Sequence, residues 1–355
     1  MKTFLLWCAV LAGGVLFIQC RSTSASRESG KELSKTIALA SAELPIVEES
    51  LRQTLILPQS SYPEIYGYVM SGREHTFRKD MPVSDLFYFA AEPNVYGNLV
   101  GVPNRKKLAA FRGKVHLVVA AASPTLFHFI LREGSEERRQ LVKDIAAASK
   151  NFDGLQIDFE QVHKRDEKAF VSFLKEVRSG IGNKLFSIAI PARTHRIANE
   201  AYDYQTLAAI ADKILVMAYD EHWSGSKPGP IASMEWCRKV AEYSIQTIGP
   251  HKLIMGLPFY GRSWGSFNPN TAYIFSSIEE VQQAQGIKRV NRTDAIIPMF
   301  EYERPVTVTV YYEDEQSIAF RLAEYRSLGV QSVGFWRIGQ ESPGVWQTMR
   351  LERNK

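Results

Sequence analysis

The stretch FDGLQIDFEQV, Phe152–Val162, decides how the rest of the chain is read. It has the composition of a buried strand, yet Gln156, Asp158 and Glu160 occupy every second position. Alternate side chains of a strand share one face, so Leu155, Ile157 and Phe159 are expected to pack against covering helices while the polar three point the other way. Burying an unpaired carboxylate costs several kcal/mol, so a purely structural strand carries Val or Ile there. An internal hydrogen-bond network that fixes the sheet is the alternative to a reacting site. Residues two apart lie roughly 6.5 Å apart at their Cα atoms, close enough for Asp158 and Glu160 to share a proton. Like charges that close push one pKa up, which suits a general acid near neutral pH.

Outward from this stretch, short apolar runs punctuate the chain at 65–70, 85–91, 115–121, 153–160, 185–192, 213–220, 252–261 and 332–339. Helical patterns fall between them, such as SEERRQLVKDIAAASK and DEKAFVSFLKEVRSG. Near-continuous apolar strands alternating with helices indicate a parallel sheet covered on both faces. Eight runs exceed the count of about five or six in a typical doubly wound sheet. The expected fold class is therefore α/β, a (β/α)8 TIM barrel, with Glu160 at a C-terminal strand end, where barrels place their chemistry. Residues 266–309 are too long for a βα loop. They read as a small α+β insertion between strands 7 and 8 that forms one wall of the mouth.

Two carboxylates on one strand limit the chemistry. A retaining glycosidase with a protein nucleophile needs them on opposite sides of the scissile bond, about 5 Å apart. On one strand, Glu160 can protonate the leaving oxygen while Asp158 orients a nucleophile belonging to the substrate, such as a 2-acetamido carbonyl. Such a mechanism would confine the substrate to N-acetylhexosamines.

Composition excludes other classes. Lys plus Arg number 43 against 38 for Asp plus Glu, with no long block of like charge, so no nucleic-acid partner is expected. There is no HExxH, no P-loop and no GxGxxG after a strand, so neither a metal nor a cofactor is expected. Residues 1–20 read as a signal peptide: Lys2 supplies the charge, and Phe4–Ile18 is an apolar run too short for an ordinary transmembrane helix. Cys20 sits where a bacterial lipoprotein is cleaved and acylated, although Phe17 and Gln19 depart from that pattern; a secreted form cut near Ala25 is one alternative and a plain membrane anchor the other. Residues 21–60 read as a polar tether and lead-in, and 61–355 as the catalytic barrel. The expected protein is exported, lipid-anchored or secreted into the periplasm or beyond, monomeric, and in contact with a membrane only through the lipid. Cys237, the Cys outside the leader, sits in a helical pattern and reads as a core thiol.

DGLQIDFE resembles the DGxDxDxE signature of glycoside hydrolase family 18, the chitinase-like barrels. MAYD (217–220) resembles the family's sixth-strand motif, MGLPFYGRSW (255–264) its seventh, and Trp336 in GFWRIG its eighth-strand Trp. YDEHWSGSKPGPIAS (219–233) is similar to the branch of spore-cortex and cell-wall N-acetylglucosaminidases. The resemblance implies Glu160 as acid and later base, Asp158 as the group that stabilises the acetamido group, and the Tyr219 hydroxyl as its donor. It implies a sugar site lined by Gln156, Asp220 and Arg262, with Trp336 beneath the sugar and Tyr68 as a wall. An N-acetylglucosamine polysaccharide is the implied partner. A non-catalytic sugar-binding protein and an endo-acting chitinase or endo-N-acetylglucosaminidase are the alternatives. Gln156 replaces the middle Asp of the signature, and VHLVVAAASP lacks the SxGG of true chitinases, which points away from chitin.

Overall fold

Each of the eight apolar runs contains a strand, and the eight strands close on one another. The structure is a computed structural model that describes residues 56–266, 271–304 and 306–352. The leader, Cys20 and most of the tether lie outside the described residues. The first seven barrel strands are β1 (Glu64–Met70), β2 (Asp85–Pro93), β3 (Lys114–Ala121), β4 (Gly154–Phe159), β5 (Leu185–Pro191), β6 (Lys213–Met217) and β7 (Leu253–Pro258). An inserted antiparallel sheet then holds β8 (Tyr260–Gly265), β9 (Thr271–Ile274), β10 (Asn291–Thr293), β11 (Ile297–Arg304) and β12 (Val306–Tyr311). The chain re-enters the barrel as β13 (Ser332–Trp336). Parallel pairing runs in sequence from β1 to β7, then β7 to β13, and β13 to β1 closes the ring.

The covering helices are α1 (Pro124–Ile130), α2 (Glu136–Ser149), α3 (Glu167–Gly180), α4 (Tyr204–Ile210) and α5 (Met234–Ile248), with α6 (Phe275–Gln285) in the insertion and α7 (Glu315–Ser327) before β13. Their faces follow from spacing: α3 buries Phe170, Phe173, Leu174 and Val177, the i, i+3, i+4, i+7 stripe of an amphipathic helix. Starts are set by caps. Ser135, Asp203 and Ser233 accept from N3 backbone N–H groups, and Asp314 forms a capping box with Ser317. Odd-numbered β4 residues join the core between sheet and helices, whereas the inner cluster holds Tyr66, Tyr68, Phe87, Val118, Ala189, Leu215 and Ile254. Cys237 is buried and free.

The insertion departs from its expected limits. Its sheet begins at Tyr260, not near 266, and runs to Tyr311. The run 252–261 is therefore two strands in two sheets. The Phe259 N–H donates to the Trp336 carbonyl at 2.8 Å, and the chain then leaves the barrel. Ile278, Phe300, Val310 and Tyr312 give the insertion a small core of its own.

Candidate active site

β4 places Gln156 and Asp158 inside the barrel, both buried, and delivers Glu160 to the rim, where it is exposed. The Glu160 N–H is held by the Ala121 carbonyl at 2.8 Å. Gln161 then takes a φ of 64°, a left-handed turn that bends the chain away directly after the carboxylate. Tyr202 braces this turn: its hydroxyl donates to the Phe159 carbonyl at 2.7 Å and accepts the Val162 N–H at 2.9 Å.

Room above Asp158 comes from small neighbours. Ala120 is its register partner on β3, and Ala189 on β5 belongs to the inner cluster. Gly256 on β7 performs the same service for Tyr219. A Cβ there would lie 2.8 Å from the Val216 carbonyl oxygen and 3.0 Å from the Tyr219 ring.

Burial first, and the Glu160 charge second, push the Asp158 pKa up to about 8, so the acid keeps its proton at neutral pH. Its Oδ1 has no partner among the described residues, and neither has Gln156 Nε2. The Tyr68 hydroxyl donates to Gln156 Oε1 and so fixes which end of the amide is left unpaired. The Glu160 pKa is also raised, by lost hydration and then by the charge of Asp220. Burial, followed by the charges of Asp158, Glu160 and Asp220, holds the Tyr219 hydroxyl protonated. It stands ready as a donor.

Asp220 has a φ of 58° and faces the first strand of the insertion. The Tyr260 hydroxyl donates to its Oδ1 at 2.5 Å, Arg262 Nε and Nη2 reach the same oxygen at 3.0 and 2.9 Å, and Nη2 reaches Oδ2 at 3.0 Å. Arg262 thus pairs with Asp220. Asp158, Glu160, Tyr219, Asp220, Arg262 and Trp336 line one cavity of about 340 Å³.

Residues 66–341 match the model of the family described as glycosyl hydrolases family 18. The chain belongs to this family. It is 28% identical over 287 residues to the cortical fragment-lytic enzyme of Bacillus cereus, which covers 74% of this chain and 66% of that one. With the enzyme of the same name from Bacillus subtilis it is 25% identical over 285 residues, 73% of this chain and 65% of the other. The chain thus spans about two thirds of the length of these two relatives. In three dimensions it resembles the spore cortex-lytic enzyme SleL of Bacillus cereus, with a TM-score of 0.72 at 21% identity over 83% of this chain and 76% of that one.

As a family 18 barrel the chain keeps Asp158 and Glu160 and carries Gln156 at the middle signature position. Two expected wall residues are placed differently. Gln156 and Tyr68 do not line the cavity but lie buried beneath it, Tyr68 with its ring edge-on to Trp336 at a centroid distance of 5.0 Å. They support the site from below. The cavity also recruits Phe89, Tyr260, Tyr273 and Gln340, which were not expected there. Phe89 shares the inward phase of Phe87 on β2, and Tyr260 stands in the quoted seventh-strand motif, so both left a signal in the sequence. Tyr273 and Gln340 left none.

Proposed function

We propose that this family 18 protein is a glycosidase that cleaves β-linked N-acetylglucosamine glycans, peptidoglycan in particular, with the substrate's own acetamido group as nucleophile. The observation that carries this reading is the distribution of free carboxylate oxygens. Asp158 and Glu160 face the cavity with an unpaired oxygen on Asp158, while Asp220, the other carboxylate on the lining, has both oxygens bound by Arg262 and Tyr260. No carboxylate is therefore left across the cavity to attack the sugar directly.

Glu160 hands its proton to the glycosidic oxygen as the bond from that oxygen to the anomeric carbon breaks. The acetamido carbonyl oxygen bonds to the anomeric carbon from the opposite face and closes an oxazolinium ring. Tyr219 donates its hydroxyl to the acetamido group and holds it for attack. A raised pKa makes the Asp158 carboxylate a strong base, suited to accept the ring N–H as positive charge develops there. Asp158 enters the step protonated, and the same positive charge drives its proton off to solvent, leaving the carboxylate that accepts the ring N–H. Water then attacks the anomeric carbon, Glu160 takes its proton, the oxazolinium bond opens, and configuration is retained. Trp336 at the base of the cavity supplies an apolar face for the sugar ring.

The names of the cortical fragment-lytic relatives support a cell-wall glycan, as does the missing SxGG element. Export through the leader, with a lipid on Cys20, would hold the enzyme beside that polymer. The test is turnover of a fluorogenic N-acetylglucosaminide, purified peptidoglycan and chitin oligomers, with products read by mass spectrometry. Glu160→Gln is expected to lower kcat about a thousandfold. Binding without turnover by the unmutated protein would assign it to the sugar-binding members instead.

A further inference from the structure

A second hollow of about 390 Å³ adjoins the cavity over Glu160. The two share Gln340, and they meet along the hydrogen bond from the Phe275 N–H to the Gln340 carbonyl at 3.0 Å. The second hollow lies between the turn after β1, the start of α6 and the segment after β13. Ser342, 2% exposed, lines it with an Oγ that has no partner among the described residues, and the buried Gln340 Oε1 is equally unpaired.

Its charges are not balanced internally. Glu341, the acid on the lining, is occupied by the Gly339 and Gln340 N–H groups at 2.6 and 3.0 Å and by the Trp346 indole at 3.0 Å. Among the described residues Arg78 pairs with Asp80 alone, at 3.2 Å, with side chains 52% and 72% exposed, a pair that water and ligands exchange readily. The indole of Trp346, 6% exposed, offers no free face to a sugar. Trp346 packs on Phe259 and Phe335 at 5.4 and 5.7 Å, and Phe275 on Tyr312 at 6.1 Å.

A weakly held guanidinium, an unpaired hydroxyl and an unpaired amide oxygen, beside an indole turned inward, fit an acidic amide-bearing arm better than another neutral sugar. We propose that this hollow is a second binding site for the lactyl-linked carboxyl or peptide that distinguishes a muramoyl residue from N-acetylglucosamine. The inference rests on the glycosidase reading for its substrate class. Arg78 would take the carboxylate, Ser342 would donate to it, and Gln340 Oε1 would accept a peptide N–H.

Calorimetric titration of the full chain carrying Glu160→Gln, which holds ligand without hydrolysing it, provides the test. The probes are N-acetylglucosaminyl-N-acetylmuramoyl dipeptide and chitobiose. The muramoyl probe is expected to bind about tenfold tighter. Adding Ser342→Ala or Arg78→Gln should erase that advantage and leave chitobiose affinity in place, with thermal melts showing both variants folded. Equal affinity for the two probes, no binding of either, or an equal loss on both in the added variants would overturn the proposal. Because binding is read directly, a wild-type protein that hydrolyses nothing would sink the glycosidase reading while this result stood apart.

Discussion

The two ends of the barrel interior use similar polar residues and treat them in opposite ways. At the N-terminal end, Glu64 accepts from Lys213, from the Ser332 hydroxyl at 2.6 Å and from the Tyr66 hydroxyl at 3.3 Å. Asp85 binds His116 Nε2 at 2.8 Å, and His116 presses so closely on Gly154 that a Cβ there would lie 2.1 Å from Nδ1. At the C-terminal end, Asp158 Oδ1 and Gln156 Nε2 are buried with no partner among the described residues. The lower carboxylates are paired within the barrel, although His116 Nδ1 has no partner among the described residues, whereas Asp158 above is left for a ligand to complete. The same strands therefore close the barrel below and leave an acid free for chemistry above.

The sharpest way to break this contrast is Asp158→Asn, which keeps the shape and removes the acid. Turnover is expected to fall about a hundredfold, since a group aimed at developing charge is lost. Stability should move the other way. Asp158 has a folded pKa of about 8 against an ordinary 3.8, so the folded state holds its proton more tightly. The stabilisation is complete below about pH 4 and is lost as pH rises to about 8. The variant does not titrate there, so its melting temperature should gain on the wild type steadily across that window and level off above it. Parallel melting curves across pH 4 to 8 would show that Asp158 is not a destabilised buried acid.

Asp85→Ala probes the other end. It strands a fully buried imidazole and should lower stability by about 2 kcal/mol in denaturant titrations. The folded fraction should keep its kcat and KM. A large change in kcat at constant fold would mean that the lower network does more than close the barrel.

This asymmetry also explains what could be read from the chain. The barrel was legible because its strands are apolar on both faces, and the β4 stripe was legible because polar residues at alternate strand positions have few structural uses. What stayed hidden depends on switches between sheets. LIMGLPFYGRSW reads as one continuous run, but its second half pairs with β9 and β12 of the insertion, which brings Arg262 against Asp220. Tyr273 reaches the cavity only because the β8–β9 register sets it opposite Gly261, and Gln340 only because the segment after β13 folds back to meet Phe275. Neither lies in a segment with barrel periodicity. Gln156 and Tyr68 were assigned to the right place in the barrel at the wrong depth. Strand phase tells which face a side chain takes, not whether a ligand reaches that layer.

Tyr68→Phe tests that depth and has the smallest expected effect. The ring stays edge-on to Trp336, so the apolar lining and KM should hold, while Gln156 loses the hydroxyl on Oε1 and becomes a buried amide with neither end paired. Stability should drop by about 1 kcal/mol. The freed amide can rotate and present Oε1 in place of Nε2 toward the neighbouring acid, so kcat should fall severalfold and the alkaline limb of the pH profile should shift. If KM rose while kcat and the pH profile stayed fixed, Tyr68 would be touching the sugar. The line between the self-satisfied and the ligand-completed parts of the barrel would then lie one layer lower than the hydrogen bonds place it.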